Sequence, residues 1–153
     1  MAERLEVKKS DKISLLHPEL KKLCEKFLIE CEKKGIKVVI YSTVRSREEQ
    51  EALYLQGRTS VDKVNLARKK AGLKPITESE NKIVTYLKDS PHCYGLAFDF
   101  VPIVNGKAEW NNEKLWEACG EIVEKLGLDW GGRWQSFPDK PHVQLKNWRK
   151  YLR

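Results

Sequence analysis

Histidine is scarce in this chain: there are three in 153 residues, beside one methionine and four cysteines. The cysteines, Cys24, Cys31, Cys93 and Cys119, stand at irregular spacing with no C-x-x-C pair. That excludes a zinc-finger pattern and the dense disulfide framework of a small secreted domain, so reduced and mostly buried thiols are expected. The opening segment "MAERLEVKKSDK" has no apolar core. Neither a signal peptide nor a membrane span is expected there, and the chain reads as a soluble cytoplasmic product that does not insert into membranes. Repeats, low-complexity tracts and interdomain linkers are also missing. One domain, residues 1–153, with no separate binding module is the expectation at this length.

What is present points to a folded globule. Hydrophobic residues make up 41% of the chain with five tryptophans, and charged residues make up 33%, which argues against disorder. The net charge of +7 favours a polyanionic partner, whether nucleic acid, anionic membrane or bacterial wall polymer. Charge alone does not choose among these.

From Pro18, "PELKKLCEKFLIECEKKG" places Leu20, Leu23, Cys24, Phe27, Leu28 and Cys31 at helical spacing, with Gly35 as the stop. "IKVVIY" reads as a buried strand. "SREEQEALYLQG" opens a second helix with Ser46 as its cap, and Arg45 sits at the junction. "VDKVNLARKKAG" predicts a third short helix, "LKPITESENK" a loop and "IVTYL" a strand. Asn105 and Gly106 signal a hairpin, and "NNEKLWEACGEIVEKLG" predicts a helix between an Asn cap and Gly127. The tail ends in a short strand, "HVQL".

The chemistry centres on "SPHCYGLAFDF", residues 90–100. Strand alternation sends Leu96, Phe98 and Phe100 one way and Ala97, Asp99 and Val101 the other. A carboxylate among such neighbours must be solvated, hydrogen-bonded, paired with a cation or bound to a metal. Of the histidines, His17 precedes Pro18 at a helix start and reads as an exposed or capping residue. His92 and His142 each lie beside a strand and near a carboxylate, Asp99 and Asp139 respectively. A catalytic zinc site takes three protein ligands and leaves a fourth position to water. His92, Asp99 and His142 meet that need, and Asp139 is the available general base. On spacing alone, the same residues fit solvated loop positions equally well. Cys93 follows His92 directly, but its side chain should point away from its neighbour's and reads as a buried thiol. Trp130 and Trp134, in "WGGRW", read as core residues rather than sugar-stacking ones.

The stretch "SPHCYGLAFDF" resembles the S-x-H-x-x-G-x-A-x-D signature of the VanY-like D-alanyl-D-alanine carboxypeptidase and L-alanyl-D-glutamate peptidase family, zinc enzymes that hydrolyse peptidoglycan. "RSREEQEALYLQGR", "VNLARKKAGLKPITESENKIVTYLKDSPH" and "LGLDWGGRWQSFPDKPHVQL" resemble, in order, segments of phage endolysins of that family. The resemblance implies an α+β fold of the hedgehog/DD-peptidase type: a small, mainly antiparallel sheet with packed helices and zinc at the sheet's open face. It implies one Zn2+ per chain held by His92, Asp99 and His142, Asp139 as general base, Arg45 as the group stabilising the oxyanion, and Ser90 as a substrate contact. Many relatives have glutamate where this chain has Asp139, which is one methylene shorter. The segment between Gly57 and Ser90 is long and is expected to form a lid or one wall of the cleft.

The implied function is cleavage of the peptidoglycan stem peptide between L-alanine and D-glutamate by an endolysin. Such an enzyme accumulates in the host bacterial cytoplasm and reaches the wall once another protein has opened the membrane. A monomer is expected, with anionic wall polymers as a further partner through the basic stretches "VKKSDK" and "KNWRKYLR", and with no specific nucleic acid. The alternatives are a D-alanyl-D-alanine carboxypeptidase with the same metal chemistry, a bacterial autolysin, a non-catalytic zinc-stabilised wall-binding module and, on charge alone, a nucleic-acid-binding domain.

Overall fold

The computed structural model describes residues 13–152, so the amino-terminal "VKKSDK" stretch lies outside the described residues. Two compact units divide the chain. One comprises the described residues up to Val44 together with those from Tyr94 onward; the other is Arg45–Cys93.

The larger unit is built on an antiparallel sheet. Helix α1, Pro18–Lys33, starts where the His17 imidazole Nδ1 accepts the Glu19 N–H at 3.2 Å, and it ends before Gly35, whose φ of +74° suits glycine. It buries Leu20, Cys24, Phe27 and Cys31, the i, i+4, i+7, i+11 stripe that its sequence predicts. Strand β1, Lys37–Ser42, pairs with β2, Ala97–Val104, which is joined to the two-residue strand β3, Lys107–Ala108, by the Asn105–Gly106 turn. Both turn residues have positive φ, 53° and 78°, as a type I′ hairpin requires. The next element here is a helix over Glu113–Lys125, capped by the Asn112 side chain on the Leu115 N–H at 3.0 Å. Strands Asp129–Trp130 (β4) and His142–Gln144 (β5) complete the sheet, in the order β1-β2-β5-β4.

Phe98 and Phe100 of β2 pack against Phe27 of α1, with ring centroids 5.8 and 4.9 Å apart, and Phe100 meets Trp116 of the Glu113–Lys125 helix at 5.3 Å. Alternation therefore puts Asp99 on the face of β2 opposite the one that carries the helices. The β1–β2 register shifts between Ile40 and Ser42, so a bulge stands beside Asp99, which pairs with Ser42.

The second unit contains α2, Arg47–Leu55, and α3, Val61–Lys70, each started by a serine hydroxyl, Ser46 on the Glu49 N–H and Ser60 on the Lys63 N–H. The helix over Glu113–Lys125 is accordingly α4. After α3 the chain is held by side chains rather than by a ladder: Asn65 exchanges two hydrogen bonds with the backbone of Ile76, and the Asn81 carboxamide bridges the Gly57 N–H and the Thr59 carbonyl. The predicted strand at "IVTYL" does not form. Ile83, Val84, Tyr86 and Leu87 are exposed and make no strand pairing among the described residues, so their β propensity is not realised.

Candidate metal centre

Three of the sequence-predicted site residues come together. His92, Asp99 and His142 are all buried, and one ligand atom of each lies within 4.8 Å of the other two. Sheet register accounts for two of them: Asp99 on β2 and His142 on β5 are direct antiparallel partners, so their side chains rise on the same face. His142 Nδ1 stands 3.6 Å from Asp99 Oδ1. Two ligands about 2.0–2.1 Å from one tetrahedral zinc are about 3.4 Å apart, so the pair needs little adjustment to share an ion. The donor set of two imidazoles and a carboxylate suits zinc chemically.

His92 is brought in by a 3-10 turn, Pro91–Tyr94, where the chain passes from the smaller unit back to the larger. The buried Ser90 accepts the His92 N–H on its hydroxyl at 3.2 Å, and the Ser90 carbonyl accepts the Cys93 N–H at 2.9 Å. Ser90 thus shapes the turn that carries the histidine. The Cys93 thiol is outside the cluster and, on this short turn, is half-buried rather than buried as expected.

The turn before β5 is pinned from four sides. The Asp139 N–H donates to the Gly131 carbonyl at 2.9 Å, the His142 N–H to the Asp139 carbonyl at 3.1 Å, Trp130 Nε1 to the Lys140 carbonyl at 2.7 Å, and the Phe100 N–H to the Pro141 carbonyl at 3.0 Å. Gly131 is required by close approach: a Cβ there would lie 2.3 Å from the Asp139 carbonyl oxygen. Trp130 is core, as expected. Trp134 is half-buried with its ring 5.1 Å from the His142 ring, so it borders the centre rather than the core.

Burial pushes the His142 imidazole down, but the hydrogen bond and charge of Asp99, the charge of Asp139 and the Gln144 side chain outweigh it, and its pKa is raised overall. The Asp139 carboxylate therefore acts on His142 without joining the three-residue cluster. Arg45 belongs to the second unit. Its backbone N–H donates to the His92 carbonyl at 3.0 Å, its Nη1 donates to Gln50 Oε1 at 2.8 Å, and its Nε stands 3.4 Å from Glu49 Oε2. Gln50 is fully buried, and its Nε2 donates to the Leu87 carbonyl at 2.7 Å, so the amide that holds the guanidinium is itself held.

Sequence reasoning missed Gln50 and Gln144. Gln144 has a legible signal, being two residues beyond His142 in a strand and so on the same face. Gln50 has none, because its importance lies in contacts made across 37 residues of sequence.

Residues 85–145 match the family model described as D-alanyl-D-alanine carboxypeptidase. The peptidoglycan L-alanyl-D-glutamate endopeptidase CwlK of Bacillus subtilis is 34% identical over 141 residues, covering 85% of this chain and 73% of that protein. This chain belongs to the VanY-like carboxypeptidase and L-alanyl-D-glutamate peptidase family. Members of this family are zinc metallopeptidases. The L-alanyl-D-glutamate peptidase of Listeria phage A118 is 28% identical over 142 residues, covering 91% of this chain but only 41% of the phage protein. The crystal structure of the vancomycin-resistance D,D-pentapeptidase VanY with Zn(II) aligns with a TM-score of 0.54 at 12% identity, over 90% of this chain and 84% of VanY, and so shares the fold. No helix among the described residues is long and apolar enough to cross a membrane.

Proposed function

We propose that the chain acts as a single catalytic domain that hydrolyses the peptidoglycan stem peptide between L-alanine and D-glutamate, with one zinc ion held by His92, Asp99 and His142. The observation that carries this reading is the buried His–Asp–His cluster, two members of which are register partners on adjacent strands. A zinc ion bound there would supply Lewis acidity, lowering the pKa of a water and polarising the scissile carbonyl.

The chain's own residues do the rest. The Asp139 carboxylate takes a proton from the attacking water and passes it to the leaving amine nitrogen. Its backbone is fixed by the Gly131 and His142 hydrogen bonds, which limits the motion of a short side chain. The Arg45 guanidinium stabilises charge that develops on the carbonyl oxygen. Gln50 supports that role because a neutral amide orients the guanidinium without neutralising it. Ser90 supports the His92 turn, and its substrate contact is made from there.

The relatives' names favour the L-alanyl-D-glutamate bond, and the phage relative favours an endolysin that meets the wall after the membrane has been opened. A D-alanyl-D-alanine carboxypeptidase is the second reading, favoured by the family description matched at residues 85–145. Mass spectrometry of digested muropeptides separates them. New D-glutamate amino termini are expected; release of single D-alanine residues would establish the carboxypeptidase, and an unchanged digest would refute both.

A further inference from the structure

We propose that Gln144 is a positioning residue that selects which imidazole nitrogen of His142 is offered to the metal. The inference rests on the reading of His142 as a ligand. His142 Nε2 lies 2.7 Å from Gln144 Oε1, and His142 Nδ1 faces Asp99 Oδ1 at 3.6 Å. A neutral imidazole carries one N–H, and a carbonyl oxygen only accepts. The proton is therefore on Nε2, donated to Gln144, and the lone pair is on Nδ1, directed at the side where Asp99 supplies its oxygen.

Gln144 is well placed to hold this arrangement. It is two residues from His142 on β5, so both side chains rise on one face, and its backbone has a strand partner on either side, Ala97 on β2 and Asp129 on β4. The Trp134 ring at 5.1 Å limits rotation of the imidazole. An acceptor on the far nitrogen orients the ring and raises its basicity, effects that typically amount to ten- to hundredfold in metal affinity.

The test measures zinc affinity of the full-length protein by competition with a chelator, and ring protonation by nitrogen-15 NMR of the zinc-loaded protein. In the wild type, the His142 proton should reside on Nε2; a proton on Nδ1 would overturn the proposal without any variant. Gln144→Leu removes the acceptor and should weaken zinc binding about ten- to hundredfold. Gln144→Glu keeps an acceptor at the same reach and should hold the affinity within a few-fold of wild type. Equal losses in both variants would make Gln144 a packing residue and sink the idea, as would wild-type affinity in Gln144→Leu. His142→Ala separates the two levels. Loss of zinc there with no effect of Gln144→Leu refutes this inference alone, whereas retained zinc refutes the metal reading and this inference with it.

Discussion

Asp99 and Asp139 carry the same carboxylate in different surroundings. Asp99 is buried in β2 opposite His142, where an ionised oxygen is costly without a cation beside it. Asp139 is half-buried in the turn before β5 and lies outside the cluster. Asp139→Asn keeps the shape but removes the proton acceptor, so kcat should fall about a hundredfold to ten-thousandfold while zinc content is unchanged. Zinc analysis and wall-lysis rate on one preparation check this; lost metal restored by added zinc would make Asp139 a ligand instead. Arg45→Ala should lower kcat by on the order of a hundredfold with KM little changed, because in the proposed mechanism the charge it meets exists only in the transition state. A raised KM with kcat intact would make Arg45 a ground-state clamp.

Elements show the same residue types constrained by their neighbours. Gly120 lies inside α4, where replacing glycine by alanine normally gains about 1 kcal/mol. Here a Cβ would meet the Trp130 ring at 2.2 Å, and that ring is buried and tied through Nε1 to the Lys140 carbonyl. Overpacking outweighs propensity, and Gly120→Ala should destabilise the fold by about 1–3 kcal/mol. Thermal unfolding reads this directly, and an unchanged or raised Tm would contradict it. Asn112→Ala, by contrast, removes only the cap of the same helix and should cost about 1 kcal/mol. The helices and the hairpin were legible because caps, glycine stops and 3.6-residue spacing are local. The two-residue strand β4 was not, since only its pairing with β5 makes it a strand.

At the scale of the whole molecule, charge and burial make separate predictions. With a net charge of +7, retention on anionic wall polymers should be screened by salt. Wall lysis should fall with ionic strength more steeply than hydrolysis of a small soluble stem peptide; parallel salt profiles would remove the polymer from the account. Burial in the core pushes the Cys24 thiol up to about 12. A raised folded value means that the neutral thiol's contribution to stability is complete below the unfolded value of about 8.5 and is lost as pH rises through about 12. Native protein at pH 8 should therefore resist alkylation at Cys24, with labelling appearing only on unfolding, as peptide mapping would show.

Sequence by itself determined the helices and the hairpin and marked His92, Asp99 and His142 as candidates, because a carboxylate in an apolar strand and two histidines beside strands are local departures from pattern. The family signature lies in the same short stretches. Tertiary structure decided what those residues meet. The pairing of Asp99 with His142 depends on a register set between segments more than 40 positions apart. Exposure of Ile83, Val84, Tyr86 and Leu87 follows from their making no strand pairing among the described residues, and the hold of Gln144 on His142 depends on both strands flanking β5. Propensity and spacing describe one segment at a time, whereas register, burial and hydrogen-bond partners belong to pairs of segments and exist only once the chain has folded.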